Sequence, residues 1–146
     1  PFSKRTAPFA AYTVFDGPTG ENCTARRDRS NTPLQSLTLL NDPMFLELAR
    51  GLARQTLADS QAMDLDPAER DEALVVALFR RLITRPPIQQ EREALLQYYQ
   101  TQRKRLAAGE LDAAKIGDEK SASAETAAWV MTVRAIMNLD EAITKE

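Results

Sequence analysis

The sequence contains no histidine and a single cysteine in 146 residues. Without histidine, this segment cannot build Ser-His-Asp or Cys-His catalytic machinery, histidine zinc sites or histidine-ligated haem. One cysteine permits neither an internal disulfide nor a multi-thiolate site, and it does not lie in a C-x-x-C-H haem attachment sequence. We therefore predict no metal and no cofactor in this segment. Any catalysis would need carboxylates, lysines or residues supplied from elsewhere.

Long apolar runs and a basic charge excess are also missing. No run approaches the roughly 20 apolar residues needed to span a bilayer, and no signal peptide is visible. Lysine and arginine number 19 against 21 aspartate and glutamate, so the formal net charge is −2. This balance argues against nucleic acid as a partner and against membrane insertion or surface binding. Because the chain starts at Pro1 without methionine, we interpret it as a fragment whose location such signals cannot reveal.

What the sequence does contain is a repeated helix-start signal, in which a capping residue precedes a proline. It occurs at Thr32-Pro33, Asp42-Pro43 and Asp66-Pro67. Gln35 completes a capping box with Thr32. Helical spacing then predicts four apolar faces: Phe45, Leu48, Ala49 and Leu52; Val75, Leu78, Phe79 and Leu82; Ile88, Leu95, Tyr99 and Leu106; and Trp129, Val133, Ile136 and Ile143.

These patterns predict an all-α fold, an irregular bundle of about five helices with an extended N-terminal arm. The arm covers residues 1–31, is rich in proline and glycine, and has room for one short strand near residues 10–15. The bundle covers residues 32–146. Residues 110–123 lack a sustained apolar face, so we expect a mobile connection or surface insertion there.

Three arginines, Arg26, Arg27 and Arg29, form the densest charged group in the arm. Their guanidinium groups could clamp a phosphate, sulfate or carboxylate, helped by the start of the next helix. Alternatively, they pair with Glu21, Asp28 or Asp42 and tether the arm to the bundle. We favour tethering over ligand binding.

The remaining candidates have weaker support. Cys23 is a candidate redox thiol, since nearby Arg26 and Arg27 would stabilise a thiolate, but we favour a buried or merely unpaired thiol. Asp16, Glu21, Asp28 and Asp42 supply carboxylates around the arm, although their spacing does not show that they meet. For Asp42 a helix-capping role is sufficient. Tyr98, Tyr99 and Trp129 could stack on a sugar, yet such a stripe is more often core.

The longest motif of the chain is FDGPTGENCTARRDRSNTPLQSLTLLNDPMFLELARGLA. It resembles the signature of the planctomycete-specific domain-one family, also called domain of unknown function 1553. The resemblance includes a Phe-Asp start at residues 15–16 and a Cys-Thr-x-Arg-Arg centre at residues 23–27. Residues 31–35 and 39–45 follow the same signature. Further similarity brings the coverage to residues 15–58, 73–96 and 126–146. Ala142 stands where family members usually carry an aromatic residue, so any role for that side chain is lost.

The resemblance implies a larger parent protein, secreted or periplasmic, with upstream cytochrome-c-like domains and sometimes carbohydrate-binding modules. Haem c would then be held elsewhere in the parent. Our leading hypothesis is a non-catalytic accessory or interaction domain at the C-terminus of that protein, packed against the preceding domains of the same polypeptide. The alternative is an enzyme segment acting on an anionic or polysaccharide substrate, with Arg26, Arg27, Asp16 and Asp28 lining a cleft.

Overall fold

The computed structural model describes residues 10–17, 30–61, 64–117 and 123–144. Within these ranges the chain forms eight helices and no strand, which confirms the predicted all-α bundle. The helices are α1 (Ala10–Val14), α2 (Pro33–Asn41), α3 (Pro43–Gln61), α4 (Pro67–Ile83), α5 (Gln89–Ala107), α6 (Ala113–Gly117), α7 (Ala124–Met137) and α8 (Asp140–Ile143).

The three proline-marked helix starts are confirmed by their hydrogen bonds. Thr32 and Gln35 form the predicted capping box, in which Gln35 Oε1 accepts from Thr32 N at 3.0 Å and Thr32 Oγ1 accepts from Gln35 N at 3.3 Å. Asp42 Oδ1 accepts from Met44 N at 2.8 Å at the start of α3. Asp66 caps α4 by accepting from Ala68 N at 2.8 Å. Each cap satisfies amides that the first helical turn leaves without an internal partner.

Helix α7 is the centre of the bundle. It packs against α3, α5 and α6, with smaller contacts to α4. Its apolar residues are almost completely buried, and the central ones are Ala127, Ala128, Trp129, Val130, Val133 and Ile136. A helix that is apolar on nearly all sides has to be surrounded by others, and α7 is.

Two residues that helical spacing placed inward lie outside. Leu48 is 56% exposed and Ile88 is 57% exposed. Helix α3 instead buries a stripe of small residues, Ala49, Ala53, Thr56 and Ser60, which lets its backbone approach α7 closely. Leu48 comes one residue before this stripe and is therefore rotated by about 100° away from it.

The short strand expected near residues 10–15 is also wrong, because this stretch forms α1. Its end is closed by bonds from Asp16 N to the Thr13 carbonyl at 3.3 Å and from Gly17 N to the Tyr12 carbonyl. A strand needs a neighbouring strand for its hydrogen bonds, whereas a helical turn satisfies its backbone locally. Because the described part of the chain contains no sheet, this segment satisfies its backbone hydrogen bonds locally, as a helical turn.

The connection expected at residues 110–123 contains α6. This helix packs on α7, where Gly117 is buried against Ala127. Leu111 and Ile116 also contact the core. Residues 118–122 lie outside the described ranges. None of the helices in the described ranges combines the length and apolar character that a membrane crossing requires.

Candidate interaction surface

The predicted site residues Cys23, Arg26, Arg27 and Arg29 lie outside the described residues, as do Glu21 and Asp28. Their roles as tether, anion clamp or redox thiol therefore stay predictions. Asp16 and Asp42, the two other carboxylates of the arm region, are described. Asp42 has the helix-capping role that the sequence predicted.

Asp16 is part of a polar network at the start of α2. Its Oδ2 accepts from Ser30 N at 2.8 Å and from Ser30 Oγ at 2.6 Å. Gln35, which is 1% exposed, donates from Nε2 to the Val14 carbonyl at 2.9 Å and to Ser30 Oγ at 3.0 Å. A buried amide is stable only when it is hydrogen-bonded in this way. The network joins the end of α1 to the start of α2, a second role for Gln35 that the capping motif did not reveal.

The residue before the first capping box connects α2 to the other end of the chain. Asn31 Nδ2 donates to Asp140 Oδ1 on α8. Nothing in the spacing of the sequence indicates this contact between residues 109 positions apart.

Arg85 forms a second connection to α8, which we call the Arg85 clasp. Its Nη1 and Nη2 donate to the two carboxylate oxygens of Glu91 at 2.8 and 2.7 Å. Its Nε and Nη2 also donate to Glu141, at 2.9 and 2.7 Å. The guanidinium carbon lies 5.0 Å from the centroid of the Phe79 ring, within cation–π range. The clasp therefore ties the end of α4 and the start of α5 to α8.

The clasp changes the acidity of its members. Hydrogen bonds from Arg85 hold the pKa of the Glu91 carboxyl below its usual value, since they favour the charged form. A backbone hydrogen bond from Ile88 N to Glu91 Oε2, at 2.8 Å, acts in the same direction. Conversely, the two carboxylates raise the pKa of Arg85. The sequence signal was available, because Glu91 lies at the third position of α5, where a capping carboxylate is typical.

Between these connections lies an open apolar hollow of about 280 Å³. Phe15 and Phe45 meet edge to face at one side, with ring centroids 5.8 Å apart and an interplanar angle of 63°. Ala142 and Ile143 of α8 form another side. The full lining is Phe15, Leu39, Phe45, Leu82, Met137, Ala142 and Ile143. The clasp and the Asn31–Asp140 bond therefore hold α8 in place as one wall of the hollow.

Beside the hollow, α2 and the start of α3 present apolar side chains to solvent. We call this the leucine face; its members are between 43% and 58% exposed and comprise Leu34, Leu37, Leu40, Met44 and Leu48. Helix α2 carries no charged residue. Five large side chains at this exposure leave an apolar area on the order of 500 Å², the size of the largest apolar patch on a typical monomer, which is often functional.

Tyr99 on α5 and Trp129 on α7 are core, whereas Tyr98 on α5 is only partly buried. Tyr99 and Trp129 stack with ring centroids 4.0 Å apart, and both are buried. Burial raises the pKa of Tyr99 to about 12. This placement confirms the core interpretation of Tyr99 and Trp129 over a sugar-stacking role.

The described residues contain no group of three or more side chains suited to hold a metal ion. Neither a curated protein nor a solved structure matches the chain. Residues 1–99 match the family described as PSD1, protein of unknown function (DUF1553). This matched region includes the polar network at Asp16 and Gln35, the leucine face, and Arg85 with Glu91 of the clasp. Since the match covers more than half of the 146 residues, the chain belongs to the PSD1 (DUF1553) family.

Proposed function

We propose that this domain is a non-catalytic interaction module that packs against a preceding domain of the same polypeptide through its leucine face. The observation that carries the proposal is the exposure of five large apolar side chains within one short stretch, α2 and the start of α3: Leu34, Leu37, Leu40, Met44 and Leu48. We further propose, on the resemblance given above, that the domain lies at the C-terminus of an extracytoplasmic, cytochrome-c-associated protein.

The size of the leucine face favours a partner on the same chain. A stable complex between separate proteins typically buries about 800 Å² on each partner. Interfaces between domains of one chain are often smaller, roughly 600 to 1,500 Å² in total. A patch on the order of 500 Å² is enough for the second case, because a covalent link supplies a high effective concentration.

The charge pattern of the leucine face also favours an interface with a partner domain. Asp42 caps α3, and exposed Glu47 pairs with Arg50 along the same helix. Helix α2 itself carries no charged residue, in keeping with the depletion of charge at the centre of an interface. Within this arrangement, Arg26, Arg27 and Arg29 would orient the arm as tethers.

The alternative, an enzyme segment acting on an anionic or polysaccharide substrate, places Asp16 in a cleft with Arg26, Arg27 and Asp28. Those three partners lie outside the described residues, so this function stays a prediction. Asp16 itself accepts two short hydrogen bonds from Ser30. That environment favours a structural role for Asp16 over a catalytic one.

Hydrogen exchange of the intact parent polypeptide, compared with this chain alone, tests the proposed function. We expect the amides of α2 to exchange more slowly in the intact polypeptide. The double variant Leu34→Gln and Leu37→Gln should remove that protection while leaving the melting temperature of the isolated chain nearly unchanged, since both side chains are already exposed. Ile88→Gln is the matched control, because Ile88 is equally exposed but lies away from the leucine face. Equal exchange in both proteins, or loss of protection with Ile88→Gln, would overturn the proposal.

A further inference from the structure

We infer that the apolar hollow is a socket for one aromatic side chain, phenylalanine in size, carried next to a lysine or arginine on the partner domain. The inference rests on the proposed function, because it names what the partner would insert beside the leucine face. It assigns a specific ligand chemistry to the seven residues that line the hollow.

The volume of the hollow suits a single ring. An apolar cavity of about 150 Å³ is large enough to bind benzene, whereas pockets for drug-sized ligands begin at about 300 Å³. With about 280 Å³, the hollow can take one benzyl group and still remain open to the chain that carries it. Phe15, Phe45 and Met137 offer the ring and sulfur contacts that aromatic side chains favour.

The charges at the α8 edge of the hollow favour a neighbouring cation. Glu141 directly precedes the wall residue Ala142, and it shares the single guanidinium of Arg85 with Glu91. Asp140 contacts two uncharged side chains, Asn31 and Thr144. Among the described residues, this edge therefore has three carboxylates, Glu91, Asp140 and Glu141, against the one guanidinium of Arg85.

A second cation, Arg134, lies about one turn before Met137 on α7. Arg134 donates to the carbonyl of Leu40 at the end of α2, beside the leucine face rather than at α8. The α8 edge therefore keeps its negative charge, and a lysine or arginine next to the inserted ring would be attracted there.

The hollow is continuous with the leucine face. Leu39 and Phe45 line the hollow, while their sequence neighbours Leu40 and Met44 belong to the leucine face. A partner segment lying across α2 and the start of α3 can therefore reach the hollow with one side chain. This continuity selects the partner domain as the occupant over a free small molecule.

The socket can be probed with three capped tripeptides: Lys-Phe-Lys, Lys-Ala-Lys and Glu-Phe-Glu. The chain is labelled with ¹³C on its methionine, alanine and isoleucine methyl groups, and the signals of Met137, Ala142 and Ile143 are followed at low salt. We expect Lys-Phe-Lys to shift these signals with a Kd on the order of 1 mM. Lys-Ala-Lys should bind at least about tenfold more weakly, because it lacks the ring. Glu-Phe-Glu should bind more weakly than Lys-Phe-Lys, and that difference should vanish at about 1 M salt.

Ala142→Phe fills the hollow with an aromatic ring of the protein itself, so Lys-Phe-Lys should no longer shift the methyl signals. Ala142→Leu, a smaller filling change, provides a second variant if the first is poorly folded, and each variant's melting curve is recorded. Leu65→Gln is the control, since Leu65 is an exposed apolar residue just before α4, at the opposite end of that helix from Leu82, and the change should leave tripeptide binding unchanged.

Each of three results would overturn the socket. The first is that the methyl signals of the hollow do not shift at about 10 mM Lys-Phe-Lys. The others are that Lys-Ala-Lys binds as tightly as Lys-Phe-Lys, or that the Ala142 variants respond to Lys-Phe-Lys as the unaltered protein does. Because the leucine-face test relies on exchange of α2 in the intact polypeptide, it can succeed while the socket fails. If the proposed function fails, the amides of α2 will exchange equally fast in the intact polypeptide and in this chain alone, independently of the tripeptide results.

Discussion

Arg85 and Glu141 are 56 positions apart in the sequence and are joined by hydrogen bonds of 2.9 and 2.7 Å. The same guanidinium binds both oxygens of Glu91. Arg85 follows Thr84, whose φ of 73° turns the chain out of α4. Arg85 thus joins the turn at Thr84, the capping carboxylate of Glu91 and α8, the last described helix. These contacts explain how a helix of only four residues is held in place.

Glu91→Gln should lower the melting temperature and make it less sensitive to acid. The folded protein lowers the pKa of Glu91, so the ionised carboxylate contributes stability above its unfolded pKa of about 4.3. That contribution is lost as the pH falls through the folded value. A neutral glutamine cannot make the charge-assisted pair at any pH, so the acid limb of a plot of melting temperature against pH should flatten.

Glu110→Gln is the matched control for that experiment, because Glu110 forms a single exposed pair with Arg105 at the other end of α5. Such pairs contribute little to stability. An acid limb that is unchanged in Glu91→Gln, or equally flattened in Glu110→Gln, would contradict the role of the clasp.

Asp71→Asn should stabilise the protein at neutral pH and lose that advantage in acid. Desolvation raises the pKa of Asp71, despite Arg70 and Arg103 nearby, and its Oδ1 has no hydrogen-bond partner among the described residues. Because the folded pKa is the higher one, ionisation costs stability as the pH rises from the unfolded pKa of about 3.9 through the folded value. Asparagine removes that cost.

Thermal denaturation of Asp71→Asn at pH 7 and near pH 3 provides the measurement. Glu72→Gln serves as control, since Glu72 is exposed and its ion pair with Arg92 is long, with 3.9 Å between Oε2 and Nη1. If the asparagine variant is destabilised at pH 7, Asp71 has a favourable partner when charged and the argument from desolvation is wrong.

The helix starts could be predicted from the sequence because capping is local. The caps are Thr32 with Gln35, Asp42 and Asp66, and each accepts a hydrogen bond from an amide within three positions. Each interaction therefore lies within four or five consecutive residues of the sequence. Burial at Tyr99, Trp129 and Val133 also follows from spacing, since the apolar stripe repeats every three or four residues.

The surface could not be predicted in the same way. Spacing alone cannot distinguish a side chain that faces the core from one that faces a partner, and so Leu48 was placed inward with Ala49. The hollow depends on distant segments that come together: Phe15 contacts Phe45, and Leu39 and Ile143 line the same space. The arginine motif at residues 26–29 lies outside the described ranges, whereas the exposed apolar surface is formed by residues that the spacing predicts only as helix.

Trp129→Ala should destabilise the protein by about 3 to 5 kcal/mol, the usual cost of removing a buried aromatic side chain. Tyr99, its stacking partner, should tolerate Tyr99→Phe within about 1 kcal/mol, because the ring contact is kept and the hydroxyl has no protein partner among the described residues. Urea unfolding followed by circular dichroism measures both. A large loss in Tyr99→Phe would show that the hydroxyl makes a strong hydrogen bond.

Arg27→Ala should lower the melting temperature if the arginine motif tethers the arm. The expectation comes from the sequence, where Arg26, Arg27 and Arg29 lie between carboxylates that guanidinium groups can bind. Differential scanning calorimetry of this variant beside Arg80→Ala, on the exposed side of α4, separates a specific tether from a general effect of charge. An unchanged melting curve together with lost binding of a sulfated glycan would instead support the enzyme alternative.

Gly51→Ala and Gly109→Ala should change stability in opposite directions. Gly51 lies inside α3, and a methyl group added there would meet no atom within 4 Å. Alanine should therefore stabilise by about 1 kcal/mol, the difference in helix propensity. Gly109 follows α5 with a φ of 73°, in the left-handed region that costs other residues about 1 to 2 kcal/mol. Its alanine variant should destabilise, although space for the methyl group is equally free. Equal shifts of the urea midpoint in both variants would mean that backbone conformation does not distinguish these two positions.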